Sequence, residues 1–517
     1  MTRAEPDIDG FCSRIISGVK NGDITSREQL QKAKVSLCSE FGLGDVPPNS
    51  RILEKVSPED RQLLEPFLIK KPMRTMSGVA VVAVMTSPHP CPHGKCSYCP
   101  GGVDNGSPQS YTGKEPAARR GERNEFDPYK QVRDRIEQLT AIGHKTDKID
   151  LIIMGGTFTS RDTEYQEWFV RRCLDAMNRI DSVSLDDAKE KNETAEHRCI
   201  GLTVETRPDV FTDEQIELAM HLGATRVELG VQILDDEILC GVDRGHGTDA
   251  VKTATKACKD HGLKVCYHLM PGLPGSTPKN DLECFRKIFD DPSFRPDMLK
   301  FYPALVISGT KLCEMWENGE YTPYDVHAAV DLLSDMKELV PEYVRIQRIQ
   351  RDIPAPQITA GILNSNIRQL VERNMESRGT KCRCIRCREV GHTDTVFSDP
   401  GRVILKTLKY EASGGMERFI SLEYEDSLIG YARLRTDHGK IATIRELKVF
   451  GKIAAIGKEG EDWQHRGFGK ELLAETERVA RSDGKEFMRV TSGIGVRKYY
   501  ESQGYELKDP YMVKQLN

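Results

Sequence analysis

The run Gly78-Val-Ala-Val-Val-Ala-Val-Met85 leads into His89-Pro-Cys-Pro-His-Gly-Lys-Cys-Ser-Tyr-Cys-Pro-Gly-Gly102. The first stretch is short, apolar and β-prone. The second places Cys91, Cys96 and Cys99 in a C-x4-C-x2-C loop beyond its end. Three thiolates so spaced can hold three irons of a cubane [4Fe–4S] cluster, which usually takes a fourth cysteine. No fourth cysteine lies nearby in the sequence, so one iron keeps a position for an exchangeable ligand. The same thiols also suit a zinc site completed by His89 or His93, or a set of buried free thiols.

An open iron on a low-potential cluster is what radical S-adenosylmethionine chemistry requires. The amino and carboxylate groups of that cofactor chelate the iron, and its sulfonium takes up the electron. The rest of the chain supplies a frame for such a site. Further strand-like runs follow at Ile149–Met154, Cys199–Val204, Arg226–Val231, Leu263–Met270 and Met298–Tyr302, with helical stretches between them. Six β-then-α units predict a parallel sheet curled into a partial (β/α)6 barrel, whose active site collects at the C-terminal strand ends. Those ends are polar or glycine-rich. Gly155 and Gly156 allow close backbone approach to the cofactor's amino group, and Glu205, Arg207 and Gln232 are placed to fix its ribose and carboxylate. Glu205 and Arg207 could equally form an ion pair on the barrel rim.

Toward the C-terminus, Gln464-His-Arg-Gly-Phe-Gly469 opens onto the helical run Lys470-Glu-Leu-Leu-Ala-Glu. A glycine-spaced turn at a helix start presents backbone N–H groups and the positive dipole end to a pyrophosphate. The pattern resembles the acetyl-CoA loop of GNAT-type acetyltransferases. Arg445–Phe450 reads as the flanking strand, with Glu446 a possible general base, and Arg497-Lys-Tyr-Tyr-Glu resembles the closing element of that α/β fold.

Lys381-Cys-Arg-Cys-Ile-Arg-Cys387 forms a third constellation. Its three cysteines, Cys382, Cys384 and Cys387, fit a structural zinc site lacking one ligand. Cys313 is the favoured fourth ligand and His392 the alternative; unliganded thiols are the plain reading.

These features sit in a chain of 517 residues, too long for one ordinary domain. The expected divisions are a helical segment at 1–75, the barrel at 76–345, a connector at 346–400 and the GNAT-like domain at 401–517. A polar, charged stretch at 182–197 reads as an exposed excursion. No apolar run reaches the roughly 20 residues needed to span a bilayer, and the N-terminus lacks an apolar signal core, so no membrane contact and a cytoplasmic location are expected. Fifteen cysteines in such a chain point to metal ligation and reduced thiols.

The net charge of −5 does not announce a nucleic-acid partner. Basic residues are concentrated locally, at Lys70, Lys71 and Arg74, and from Arg345, Arg348 and Arg351 through Arg368, Arg378, Arg383 and Arg388. Such a surface can attract phosphate whatever the global charge; a helix face balanced by acids elsewhere is the competing reading.

Taken together the chain resembles the catalytic subunit of Elongator, the tRNA wobble-uridine carboxymethyl synthase family, in its single-chain archaeal or bacterial form. The resemblance rests on Gln109-Ser-Tyr-Thr-Gly113, Met154-Gly-Gly-Thr-Phe158, Glu205-Thr-Arg-Pro-Asp209, Gly230-Val-Gln232, Arg348-Ile-Gln-Arg-Asp-Ile-Pro354, Gln464–Gly469 and Pro510-Tyr-Met-Val513. It implies Cys91, Cys96 and Cys99 as cluster ligands. It also implies acetyl-CoA contacts at Lys148, at Glu446, Leu447, Lys448 and Val449, at Gln464, Gly467, Phe468, Gly469, Lys470 and Glu471, and at Tyr499 and Tyr500. The implied chemistry uses a 5′-deoxyadenosyl radical to make an acetyl-CoA methyl radical that adds to C5 of the wobble uridine in the tRNA anticodon loop. Lys300, Tyr302 and Tyr500 are the catalytic candidates, and Elongator-like partner subunits are implied for some organisms. A protein lysine acetyltransferase with a structural barrel is the rival reading.

Overall fold

The computed structural model describes residues 7–57, 59–68, 78–351, 353–393, 395, 400–450 and 467–516. Lys70, Lys71, Arg74 and Gln464 lie outside the described residues.

Four helices, Ile8–Lys20, Arg27–Glu40, Asn49–Glu54 and Arg61–Leu68, open the chain. They close a small core of their own around Phe11, Ile15, Leu30 and Leu64. The second helix starts where its sequence dictates. Ser26 accepts from the Gln29 backbone N–H while the Gln29 side chain accepts from the Ser26 backbone, a reciprocal capping box.

The central body is built on β1 Ala80–Met85, β2 Lys148–Met154, β3 Arg198–Thr206, β4 Arg226–Gln232, β5 Lys264–Leu269, β6 Met298–Phe301, β7 Val306–Ile307, β8 Arg345–Ile349 and β9 Ile358–Ala360. Strands β1 to β6 and then β8 pair in that order, all parallel, with helices packed outside; β7 and β9 form a separate antiparallel ribbon. The six strands read from the sequence are present, and a seventh joins them. Arg345–Ile349 was expected to begin the connector. It is a barrel strand instead, because three arginine and glutamine positions at 345, 347 and 348 mask an apolar pair, Ile346 and Ile349, that is buried.

Side chains alternate along these strands. One set, including Val82, Val84, Leu151, Ile153, Val227 and Leu229, packs against the helices. The other set points inward and is largely ionisable: Asp150, Arg226, Glu228, Lys264, His268 and Lys300. The segment at 182–197 also departs from expectation. Leu185–Asn192 is a helix, capped by Ser184 and packed through Leu185, Ala188 and Asn192. Its small apolar set had been hidden by four lysines and acids on its outer face.

The last body is a seven-stranded sheet: β10 Val403–Ala412, β11 Gly415–Tyr424, β12 Ser427–Thr436, β13 Ile441–Val449, β14 Phe487–Val490, β15 Glu506–Lys508 and β16 Tyr511–Gln515. The order is β10-β11-β12-β13-β14-β16-β15, and only β13 and β14 run parallel. Their pairing covers Ile441 to Ile444 and then stops. Beyond that point β13 keeps β12 on one side, and among the described residues no strand pairs with its other edge; Val449 lies near Gly469 at the start of the helix Phe468–Ser482.

This domain docks on the foot of the barrel, where the strands begin. Arg445 reaches Asp297, just before β6, and the Leu263 carbonyl, just before β5. A Cβ on Gly493 would fall 2.1 Å from the Ile200 carbonyl oxygen in β3, and one on Gly495 would fall 2.4 Å from Arg198 Cβ. Two glycines are therefore needed simply to let the chains approach.

Candidate functional site

The strand ends converge on one cavity of about 140 Å³ at the barrel mouth. Its walls carry Cys91, Cys96 and Cys99 from the loop after β1, Gly156 after β2, Glu205 and Arg207 after β3, Gln232 at the end of β4, and Tyr302 and Arg348 after β6 and on β8. Cys96 and Cys99 are buried, and Cys91 is half-buried.

Each sulfur meets a polar partner. Gln109 Nε2 donates to Cys99 Sγ at 2.9 Å and Arg244 Nη1 to Cys96 Sγ at 3.5 Å; His93 Nε2 lies 3.2 Å from Cys96 Sγ, and Thr157 Oγ1 lies 3.3 Å from Cys91 Sγ. Thiolate charge is therefore met by fixed donors. Among the described residues, the sets of three ligating atoms within 4.8 Å of one another are Cys382–Cys384–Cys387 and Glu228–Cys266–His268. The loop cysteines do not form such a set. A single zinc would draw its sulfurs to within roughly 3.8 Å of each other, whereas a cubane spreads its thiolates over separate irons. The loop fits a cluster, and the second triplet fits one metal ion.

The groups expected to face the cofactor are equally constrained. Gly155 has φ +140°, and a Cβ there would fall 1.9 Å from Thr86 Oγ1; Gly156 has φ +88°, with the Gln109 carbonyl at 3.0 Å from its would-be Cβ. Only glycine fits either place. Gln232 is held at φ +71°, and its buried Oε1 has no partner. Glu205 and Arg207 do not pair with each other. Glu205 accepts from the Tyr111 hydroxyl at 2.9 Å, while Arg207 binds Asp209 at 2.8 Å and the Arg244 carbonyl at 2.8 Å. Burial raises the Glu205 carboxyl above its usual range, against the opposing charges of Lys300 and His268. A buried carboxyl and an orphaned amide oxygen are both acceptors and suit a ligand rich in hydroxyl and ammonium donors.

Below this cavity the lumen is a column of charge. Lys300 forms an ion pair with Glu228, His268 Nε2 lies 2.7 Å from the same carboxylate, and Arg226 bridges Glu228 (3.6 Å) and Asp150 (3.1 Å). Burial alone would raise the Glu228 carboxyl, but Lys300 and His268 hold it far below the usual range. The ammonium of Lys300 is in turn kept charged by Glu228 despite its burial. Glu228, Cys266 and His268 thus already have their cation. Tyr302 lies edge-on to His268, ring centres 5.2 Å apart, and burial pushes its hydroxyl up to about 12.

At the foot, the described residues expected to contact acetyl-CoA lie along β13 and at the start of the helix Phe468–Ser482. Gly467 takes φ +85° ahead of the helix, and Gly469 lies close to both Val449 and Tyr499: its would-be Cβ falls 3.9 Å from Val449 Cγ2 and 3.5 Å from Tyr499 Oη. That hydroxyl is buried without a partner. Tyr500 packs against Tyr499 and Tyr505 at 5.2 and 5.7 Å. Phe468 is buried, whereas Lys470 and Glu471 are exposed. Lys448 lies over the Phe450 ring at 5.2 Å, beside the half-buried Leu447. Glu446 accepts from Arg433 at 2.9 Å. Burial would raise its carboxyl, but Arg433 and Lys264 hold it down at about 2, which makes it a weak proton acceptor. Lys148 begins β2, in register with Arg198, against which Gly495 packs.

Two expectations change here. Cys313 is not the fourth ligand of the triplet: it is buried in a separate cluster with Cys96 and Leu312, its thiol toward Glu317. Helical spacing gave no hint that its helix faces the cluster loop. His392 also stays out of the triplet's set. The arginine-rich connector is largely committed to acids: Arg345 to Glu389, Arg378 to Asp331 and Asp335, Arg383 to Glu342 and Asp426, Arg388 to Glu423. Arg345 sits at the foot of β8, so it faces the C-terminal domain, while Arg348 and Arg351 reach the mouth. Sequence reasoning gave no role to Gln109, Tyr111, Arg244, His268 or Glu228. The period-two appearance of Arg226 and Glu228 inside an apolar strand was the available signal; Arg244 carried none.

The geometry can now be set beside known proteins. Four family profiles tile the chain: the ELP3 N-terminal domain over residues 8–76, the Radical SAM superfamily over 87–288, the Radical SAM C-terminal domain over 296–377 and the acetyltransferase (GNAT) family over 390–505. A tRNA uridine(34) acetyltransferase of Methanocaldococcus infernus is 49% identical over 97% of this chain and 98% of its own length. The chain belongs to the Elongator protein 3 family. The zebrafish (Danio rerio) Elongator complex protein 3 is 42% identical, over 94% of this chain and 93% of its own. The solved structure of M. infernus Elp3 with residues 1–46 deleted superposes with a TM-score of 0.77 at 47% identity, covering 86% of this chain and all of that one. As an Elongator protein 3 family member the chain is an enzyme that combines a helical N-terminus, a radical S-adenosylmethionine barrel and a GNAT domain. No helix among the described residues is long and apolar enough to cross a membrane.

Proposed function

We propose that this enzyme is a tRNA uridine(34) acetyltransferase that installs a carboxymethyl group at C5 of the wobble uridine, with the radical site at the barrel mouth and acetyl-CoA held at its foot. The observation that carries the reading is the ionisable lumen. The column from Lys300 through Glu228 and Arg226 to Asp150 runs through the interior below the cysteine cavity. Most closed barrels fill that space with branched apolar side chains.

When bound, the [4Fe–4S] cluster and S-adenosylmethionine supply a radical able to take hydrogen from the acetyl methyl group. The chain's own residues do the rest. Cys91, Cys96 and Cys99 hold three irons, and Gln109 and Arg244 donate to their sulfurs. Gly155 and Gly156 let the backbone approach the amino group, and Gln232 and Glu205 accept hydrogen bonds from the ligand. Gly467 to Gly469 cradle the pyrophosphate at the helix start, and Tyr499 offers its unpartnered hydroxyl beside it. Lys148 anchors acetyl-CoA at the foot. Lys300, kept cationic by Glu228, stabilises negative charge developing on a uracil or thioester oxygen, and Tyr302 donates from its neutral hydroxyl. Cys382, Cys384 and Cys387 hold a structural zinc.

The lysine-acetyltransferase reading is less well supported, because its candidate base Glu446 is paired with Arg433 and so is a poor proton acceptor. The test is anaerobic reconstitution with reductant, S-adenosylmethionine, acetyl-CoA and tRNA, followed by mass spectrometry of the digested RNA. A 5-carboxymethyluridine signal is expected. Unchanged product from Cys96→Ala and Cys99→Ala enzymes would sink the radical step.

A further inference from the structure

The barrel sheet does not close. Its order runs from β1 to β8, and these two edge strands do not pair with each other. The outer edge of β1 is satisfied by side chains instead. Gln131 accepts from the Met85 N–H at 2.8 Å and donates to its carbonyl at 2.9 Å, and Arg120 donates to the Ala83 carbonyl at 2.6 Å. The seam between the two edges ends at the mouth, where Ser110 and Arg351 both line the cysteine cavity. There Arg351, just past β8, crosses the seam: its Nη2 donates to the Ser110 carbonyl at 2.8 Å.

Both ends of this bond sit in unusual backbone. Gln350, beside Arg351, has φ +99° and keeps its N–H on the Phe301 carbonyl at 2.6 Å; Ser110 has φ +72°. Non-glycine residues are uncommon in that region and persist where their surroundings over-determine them. The neighbours of Ser110 show what the constraint serves. Gln109 is buried, donates to Cys99 Sγ at 2.9 Å, and its carbonyl oxygen lies 3.0 Å from the would-be Cβ of Gly156. The Tyr111 hydroxyl donates to Glu205 at 2.9 Å, and its carbonyl accepts from Ser107 Oγ at 2.7 Å. The tripeptide 109–111 is thus a hub touching a loop cysteine, the glycine pair after β2 and the acid after β3. A shift of Ser110 would disturb all three contacts together, and Arg351 holds it from the opposite edge of the sheet.

Resting on the radical site proposed above, we propose that Arg351 is a positioning residue: its hydrogen bond to Ser110 latches the open seam of the barrel and holds Gln109 and Tyr111 in place on Cys99 and Glu205. The guanidinium is thereby committed to the protein's own backbone. Its loss acts on the cofactor side through residues 109–111, and not on a polyanion at the rim.

The test uses the full chain with its cluster reconstituted anaerobically and reduced. S-adenosylmethionine is titrated in and read by the change in the cluster's electron paramagnetic resonance spectrum. Anisotropy with a labelled stem-loop RNA runs beside it. Arg351→Met should weaken S-adenosylmethionine binding about fivefold, the worth of one net hydrogen bond, with RNA affinity unchanged. Tyr111→Phe cuts the same path at Glu205. Because Arg351 acts through the hub, its substitution should cost little more in the Tyr111→Phe background, a non-additive cycle. Arg351→Lys keeps one donor at the seam and should lose less; it runs in the same cycle, so the comparison survives a methionine variant that fails to load iron. Unchanged cofactor affinity in Arg351→Met, or additive losses in the cycle, would overturn the latch, and so would a loss confined to RNA affinity. A wild type without the cluster signal, or without its response to S-adenosylmethionine, rejects the radical site and the latch with it. A responsive wild type beside an unaffected Arg351→Met rejects the latch alone.

Discussion

Arg445 and Asp297 form a two-pronged ion pair at 2.7 and 2.6 Å with both side chains fully buried, joining the GNAT sheet to the root of β6. Asp297 also accepts from the Val265 backbone at 2.9 Å, and Arg445 also binds Glu417 at 2.9 Å. One carboxylate thus organises two barrel strands and a strand of the other domain. Removing one member of such a pair leaves an uncompensated buried charge, a loss of about 3–5 kcal/mol. Asp297→Ala should therefore lower the calorimetric melting temperature and split off an early transition for the C-terminal domain. A single transition at the wild-type temperature would contradict this.

The neighbouring Glu446–Arg433 pair makes a pH prediction. The Glu446 carboxyl titrates near 2 when folded and near 4.3 when unfolded. Its stabilisation is complete above about pH 4.3 and is lost as pH falls toward 2, up to about 3 kcal/mol. Glu446→Gln should flatten the acid limb of stability between those values, read as urea midpoint against pH. Parallel acid limbs for the two proteins would refute the assignment.

Gln109 and Arg244 donate to Cys99 and Cys96, two of the proposed cluster ligands, and donors to cluster sulfurs favour the more negative, reduced state. Gln109→Leu should shift the cluster's midpoint potential downward by on the order of 50 mV, comparable to one net hydrogen bond. Electron paramagnetic resonance titration measures it, independently of turnover. An unchanged or raised potential would remove Gln109 from this role.

Glu228→Gln strips the counterion from Lys300. Expected are a melting temperature lower by several degrees and product formation reduced at least tenfold, with RNA affinity unchanged. Full activity in a folded variant would show that the lumen charge is only structural.

The Cys382–Cys384–Cys387 site should bind zinc, with about one equivalent by elemental analysis and none in Cys384→Ser. The short helix Ile385–Arg388 docks on the GNAT sheet through Arg388–Glu423 and the Glu389–Leu428 bridge. Metal loss should therefore raise hydrogen exchange in β12. A metal-free protein with wild-type exchange there would argue against the site.

Much of the site was legible along the chain. The cysteine spacing, the double glycine after β2 and the glycine-spaced turn before Phe468 each declare a local backbone geometry, and local geometry is written in consecutive residues. The strand Arg345–Ile349 and the helix Leu185–Asn192 escaped because their apolar positions are few and their polar residues belong to interfaces rather than to solvent. Arginines that read as a phosphate-binding tract proved mostly paired, since a sequence lists charges without saying which acids stand opposite them.

The sequence by itself determined three bodies and six of the parallel barrel strands, because each depends on periodicity or spacing within a few residues. Only the tertiary structure decided that the GNAT sheet docks at the foot while the cysteines gather at the mouth, that Arg226, Glu228 and Lys300 meet inside the barrel, and that Arg120 is buried with no salt-bridging carboxylate among the described residues. Those outcomes come from strands distant in sequence closing on one another, where burial turns an isolated charge into a demand for a partner.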